Sequence, residues 1–173
     1  ICFPICGGLR DGRAMTRAGH EINLARHGFA RKQEWKLEEQ GDSMVALSLS
    51  SADHAELLEQ YPYPFKIVAR YTIDAAKGAV SYEVTNEGTE DMPFFVGGHP
   101  GFKCPLDEGE SYDDYELRFE QREAAELCTA VPSTGLIDVE HRSKNPMIGH
   151  DLPLTHELFD FAETIFDVLE SRV

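Results

Sequence analysis

Apolar and polar residues alternate in short runs along most of this chain, a period that predicts strands rather than helices. The clearest run is 65–73, where Phe65, Ile67, Ala69, Tyr71 and Ile73 share one face and Lys66, Arg70 and Thr72 the other. Residues 74–78 read as a turn, and 79–85 return with Val80, Tyr82 and Val84 inward, so a β-hairpin is expected. Alternation recurs around Trp35 and Leu37 in 34–38, around Val45, Leu47 and Leu49 in 44–49, and around Tyr115, Leu117 and Phe119 in 113–120. Weaker strands are expected over 124–131 and from Ile165 through 169 toward the end of the chain. The stretch 52–60 favours a short helix after Ser50 and Ser51, and YPYPF at 61–65 must leave it, because two prolines cannot continue a helix. Residues 132–153 are polar and turn-rich, and no element is assigned there. Many short strands with turns between them predict an all-β chain, an antiparallel β-sandwich, as one domain over 1–173.

One stretch carries unusual punctuation: MPFFVGGHPGFKCPL at 92–106. Phe94, Phe95 and Val96 read as the end of a buried strand. Gly97 and Gly98 then allow backbone angles that a Cβ would resist, and Pro100 pushes the residue before it toward an extended conformation. His99 would stand on a tight, open turn, either as a solvent-facing turn residue or as a functional group carried on a rigid strand end. A related segment, His27-Gly28-Phe29-Ala30-Arg31, lies earlier in the chain. Locally, His27 reads as a turn residue beside a packed Phe29.

Charge narrows the partners. The net charge is −15, from 31 acidic and 16 basic residues, a field that repels nucleic acid and anionic lipid. No apolar run reaches the length of a membrane span. The four cysteines, Cys2, Cys6, Cys104 and Cys128, lack a second pair at zinc-like spacing, and reduced thiols in a cytoplasmic protein are expected. The chain opens ICFPICGG without an initiator methionine and ends in an apparent strand, so it reads as a segment of a longer protein.

Several chemistries lack their motif. No Walker loop, no GxGxxG opening a helix, no HExxH and no GxSxG elbow occurs. His27 and His99 could join a carboxylate in a cupin-like metal site, but the paired His-x-His and Glu spacing is missing, so no metal site is expected. His141, His150 and His156 lie in polar text and are expected to be solvated.

Taken in order, HGFAR at 27–31, YPYPF at 61–65, the strand ending VTNEG and MPFFVGGHPGF resemble the aldose 1-epimerase (galactose mutarotase-like) superfamily, its LacX-like branch most of all. The likeness runs from FPICG at Phe3 to LFDFAETIF at Leu158. It implies a large antiparallel β-sandwich holding a sugar in a cleft across one sheet. It also implies cofactor-free interconversion of the α and β anomers of a free aldose, with an acid on the ring oxygen and a base on the anomeric hydroxyl. Histidine, with an intrinsic pKa of about 6.5, suits a group that gives and takes a proton near neutrality. By resemblance His99 is the general acid and His27 the second active-site histidine. Arg31 is the arginine that lies near phosphate in related hexose-6-phosphate epimerases, and Phe102 is an apolar wall for the sugar.

Three positions depart from the family pattern. Gly8 stands where FPIxG is usually followed by Arg, with Arg10 close but out of register. Ala162 stands where LFxxD carries an aspartate, with Asp160 and Glu163 as displaced candidates. The family's base is a glutamate nearer the C-terminus than this sequence reaches. The readings that follow are an aldose 1-epimerase or part of one, a non-catalytic carbohydrate-binding β-sandwich, and a hexose-6-phosphate 1-epimerase using Arg31 with Arg10 or Lys103. The acidic balance favours a neutral aldose as the small-molecule partner. No nucleic acid or membrane partner is expected, and a homodimer is one assembly considered.

Overall fold

A computed structural model describes residues 1–160 and 163–171 in two compact units, Ile1–His99 and Pro100–Val173. In the first unit, β1 (Arg13–Met15) and β2 (Glu21–Asn23) pair as a small antiparallel hairpin. Strands β3 (Lys36–Gly41), β4 (Met44–Ser50), β5 (Phe65–Asp74) and β6 (Lys77–Asn86) form an antiparallel meander in chain order. The predicted hairpin is present, with Phe65 opposite Asn86 and Asp74 opposite Lys77.

Alternation along β5 explains where the core sits. Phe65, Ile67 and Ala69 are buried, whereas Tyr71 and Ile73, further along the same face, are 39% and 67% exposed. On β6, Tyr82 and Val84 are half-buried and Val80 is 49% exposed, so the inward face is covered only toward the Phe65 end. What covers it is an aromatic cluster. Phe3 lies 5.1 Å from Phe65 and 6.4 Å from Tyr61 by ring centroids, and Phe29 stacks on Phe65 at 5.7 Å. Ile22, Leu24, Leu49 and Leu57 close the same core. Each such side chain contributes about 1.5–3 kcal/mol by leaving water.

Two expectations for this unit are corrected. The helix over 52–60 is a 3-10 helix, Ala55–Glu59, because the chain must turn out at Tyr61 and Pro62 before an α-helix can establish itself. Residues 92–96 do not form a ladder strand, and Phe94 and Phe95 are 40% and 68% exposed rather than buried. They run extended beside residues 2–5, joined by the Phe95 amide donating to the Pro4 carbonyl at 2.8 Å and by a bridge between Cys2 and Gly97. Pro4 and Pro93 lack the N–H groups that a continuous ladder needs.

The second unit holds β7 (Glu116–Arg118), β8 (Leu127–Val131), β9 (Leu136–Ser143), β10 (Asp151–Pro153) and β11 (Thr164–Ile165). Strand β7 pairs with β10, and β8 lies between β9 and β11, all antiparallel. The strand expected over 113–120 shrinks to three residues, because Tyr112–Asp114 is a 3-10 turn closed by a Ser111–Asp114 capping box. The strand expected from Ile165 to 169 is only the two residues of β11, and the chain's last two residues lie outside those described. The stretch 132–153, assigned no element from sequence, contains β9 and β10. Glu123, 2% exposed, is held by the Glu170 and Ser171 amides at 2.7 and 2.8 Å, which ties the end of this unit to its interior. The expected all-β, antiparallel class therefore holds. No helix among the described residues is long and apolar enough to cross a membrane.

Candidate active site

The two histidine segments meet because one short extended segment pairs with both of them. On one side, Phe3 bridges Gly28. The Phe3 amide donates to the His27 carbonyl at 3.3 Å, and the Phe29 amide donates to the Phe3 carbonyl at 3.1 Å. On the other side, Cys2 and Gly97 exchange both backbone hydrogen bonds, at 2.8 and 3.0 Å. The sequence permits this approach at Gly28, where φ is +70° and a Cβ would stand 2.1 Å from the Phe3 carbonyl oxygen. Tyr61, buried in the core, donates its hydroxyl to the Pro93 carbonyl at 2.8 Å and fixes the start of the His99 segment.

The result is a histidine pair. The His27 and His99 rings lie 5.3 Å apart by centroid at 85°, edge to face. His27 is half-buried and adopts φ +67°, a left-handed conformation that costs an L-residue about 1–2 kcal/mol. Its backbone amide donates to the Gly7 carbonyl at 2.8 Å, and its Nδ1 accepts from the Gly7 amide at 3.1 Å. That hydrogen bond assigns the neutral ring its proton on Nε2, as a donor directed away from Gly7. His99 is exposed. A fixed donor imidazole beside an accessible one can grip a hydroxyl and move a proton at a neighbouring oxygen.

The remaining sequence candidates fall as follows. Arg31 is exposed on the 3-10 turn Ala30–Lys32, where its Nη2 donates to the Arg26 carbonyl at 3.3 Å. Arg10 is exposed at the start of the 3-10 turn Arg10–Gly12. Phe102, 86% exposed, and Asp160, exposed directly after the 3-10 helix His156–Phe159, belong to the second unit. Ala162 lies outside the described residues. The Lys103 ammonium donates to the Leu106 carbonyl at 2.8 Å. His141 and His156 are exposed, the first beside Asp138 at 2.9 Å and the second stacked on Tyr112. His150 is exposed as well.

Sequence reasoning missed Gly7, whose amide orients His27. Only its place directly after FPIC hinted at a close backbone approach. Volume alone does not mark this site: a groove of about 930 Å³ in the first unit is walled by Leu9, Met15, Ile22, Tyr63, Met92 and Phe95, and neither histidine lines it. Among the described residues, no cluster of three or more His, Cys, Asp or Glu side chains is arranged to hold a metal ion.

Comparison with known proteins shows the family in which both histidine segments occur. The family model described as aldose 1-epimerase matches residues 3–164, which takes in both histidine segments. The chain belongs to the aldose 1-epimerase family. It is 38% identical to the plasmid and chromosomal LacX proteins of Lactococcus lactis subsp. lactis, over 99% of this chain and 58% of each relative. Among solved structures, a galactose mutarotase related enzyme from Lactobacillus acidophilus superposes with a TM-score of 0.78 at 28% identity, over 94% of this chain and 52% of that one. A galactose mutarotase-like protein from Lactobacillus casei gives a TM-score of 0.67 at 26% identity, over 94% and 54%. This aldose 1-epimerase family chain thus has the galactose mutarotase-like fold and spans a little over half the length of the relatives it matches.

Proposed function

We propose that this chain carries the acid half of an aldose 1-epimerase site acting on a free, uncharged hexose. The observation that carries the reading is the convergence of His27 and His99, 5.3 Å apart by ring centroid, within a chain of the aldose 1-epimerase family. In this reading His99, the accessible ring, protonates the ring oxygen as its bond to the anomeric carbon breaks. His27, with its Nε2–H fixed by Gly7, donates a hydrogen bond to a sugar oxygen and holds the ring in line. The open-chain aldehyde then turns about its bond to the next carbon and closes on its other face, and the proton returns to His99. The proton of the anomeric hydroxyl goes to a carboxylate base, the glutamate that the family resemblance implies. Residues 1–173 form one aldose 1-epimerase-like domain in this proposal, supported by a family match that runs through both units.

A neutral sugar is favoured over a sugar phosphate. Arg31, the cation that the phosphate reading needs, already donates to the Arg26 carbonyl, and the chain carries a net charge of −15. The test is polarimetry on the full-length protein with freshly dissolved α-D-galactose or α-D-glucose, in the presence and absence of the 6-phosphate. Catalysed mutarotation unaffected by millimolar sugar phosphate supports the proposal. Binding without turnover, or strong competition by the phosphate, overturns it.

A further inference from the structure

Cys2 and Cys6 lie on the segment that joins the two histidine turns, Cys2 bonded to Gly97 and Cys6 directly before Gly7, whose amide meets His27. Cys2 and Gly97 form a hydrogen-bonded antiparallel pair, so their Cβ directions lie on the same side of the bridge, about 5.5 Å apart. Gly97 has no side chain, and the space a Cβ would enter there is taken by Cys6 Sγ, 2.9 Å from that point. The Cys6 sulfur thus lies over Gly97 on the face of the bridge to which the Cys2 side chain also points. The thiols differ in access: Cys2 is 4% exposed, whereas Cys6 is exposed, and both are reduced.

We propose that Cys2 and Cys6 are an oxidisable dithiol, a modification site whose intrachain disulfide forms on exposure to a peroxide and alters the setting of His27. The exposed Cys6 thiolate attacks the peroxide O–O bond and becomes a sulfenic acid, and the hydroxide released takes up the proton the thiol had given up, leaving as one water. The Cys2 thiol then attacks that sulfur, the S–S bond forms, and hydroxide leaves with the Cys2 proton as a second water. Two thiols and one hydrogen peroxide give one disulfide and two waters. A cellular dithiol or monothiol reverses the step. The geometry required is a Cβ···Cβ separation of about 3.5–4.5 Å, which residues four apart reach when the intervening chain turns.

The consequence follows from the neighbours. Cys6 directly precedes Gly7, whose amide donates to His27 Nδ1 at 3.1 Å, and Cys2 is bonded to Gly97, two residues before His99. Drawing Cys6 toward Cys2 moves the Gly7 amide and loosens the contact that sets the His27 tautomer. Burial first, and then the neighbouring Cys2 thiol, push the Cys6 thiol above its usual value, so oxidation quickens as pH rises.

The test uses the native, reduced protein treated with hydrogen peroxide, then alkylated in denaturant and digested with trypsin. Both cysteines fall in the peptide that ends at Arg10. The expected result is loss of both alkylation sites together, a mass lower by two hydrogens, full reversal by dithiothreitol, and a shift of the His27 ring-proton resonance. In Cys2→Ser, Cys6 instead proceeds to sulfinic acid under the same treatment. Cys2 remaining alkylatable while Cys6 over-oxidises in the unsubstituted protein, or Cys6 pairing with Cys104, overturns the proposal. A disulfide that leaves the His27 resonance unmoved overturns its link to the histidine pair.

Discussion

The His27 Nδ1 accepts a hydrogen bond from the Gly7 amide at 3.1 Å, so the ring's orientation and proton position are both set by backbone. Nothing in either residue's local sequence requires this. It arises because the extended segment through Cys2 and Phe3 pairs with the His27 turn on one side and with Gly97 on the other.

His27→Asn separates the ring from the turn. Asparagine tolerates the φ of +67° found at His27, so the backbone is retained while the Nε2 donor is lost. Removing one hydrogen bond to a reacting sugar slows mutarotation about 10–100-fold, with the melting temperature nearly unchanged. An unchanged rate in polarimetry would remove His27 from the site.

Gly28→Ala tests the close approach that joins the segments. Its Cβ would stand 2.1 Å from the Phe3 carbonyl oxygen at a φ of +70°. The expected loss is about 2 kcal/mol or more, since the left-handed angle and the clash add. Thermal unfolding followed by circular dichroism reads it, and a melting point equal to the parent's would contradict the packing described here.

Tyr61 predicts an alkaline limb. Burial raises its phenol well above the usual value of about 10, with Tyr63 adding to the shift. Because the folded state holds this proton more tightly, the stability it contributes is present below the unfolded value and is lost as pH rises past it. Tyr61→Phe flattens that limb, and it also costs about 1–3 kcal/mol at neutral pH by leaving the Pro93 carbonyl without its donor. Melting curves from neutral to alkaline pH on both proteins check the sign.

Glu123 predicts an acid limb in the second unit. Hydrogen bonds from Ser171 and from the Glu170 amide hold its carboxyl below the usual range. Stability from this group is present above the unfolded carboxylate value of about 4.3 and is lost as pH falls toward the lower folded value. Glu123→Gln makes the protein less stable at neutral pH and less sensitive to acid. A steeper acid loss in the variant would reverse the assignment.

What the sequence disclosed follows the strength of each local pattern. The β5–β6 hairpin was legible because five apolar residues recur at every second position, with Lys66, Arg70 and Thr72 among those between, and the turn is short. Strand β9 was not, since Ile137 and Val139 are 53% and 60% exposed and its other positions are largely charged, so no buried face imprinted a period on the text. Phe94 and Phe95 read as a buried strand from composition alone. Proline on both partners reduces the pairing to a bridge and leaves them half in solvent. The histidine pair was legible through its family motifs. The Gly7 contact was not, because a backbone amide carries no side-chain signature. Arg10 was read as close to the place of the family arginine but out of register, and it lies in the 3-10 turn Arg10–Gly12.

The central claim is that His99 supplies the proton that opens the sugar ring. The direct measurement is the polarimetric rate of α-D-galactose mutarotation by the full-length protein and by its His99→Ala variant at matched concentration. The account predicts a fall of about 10²–10⁴-fold in kcat with the fold intact by circular dichroism. Full activity in a folded His99→Ala protein would contradict it.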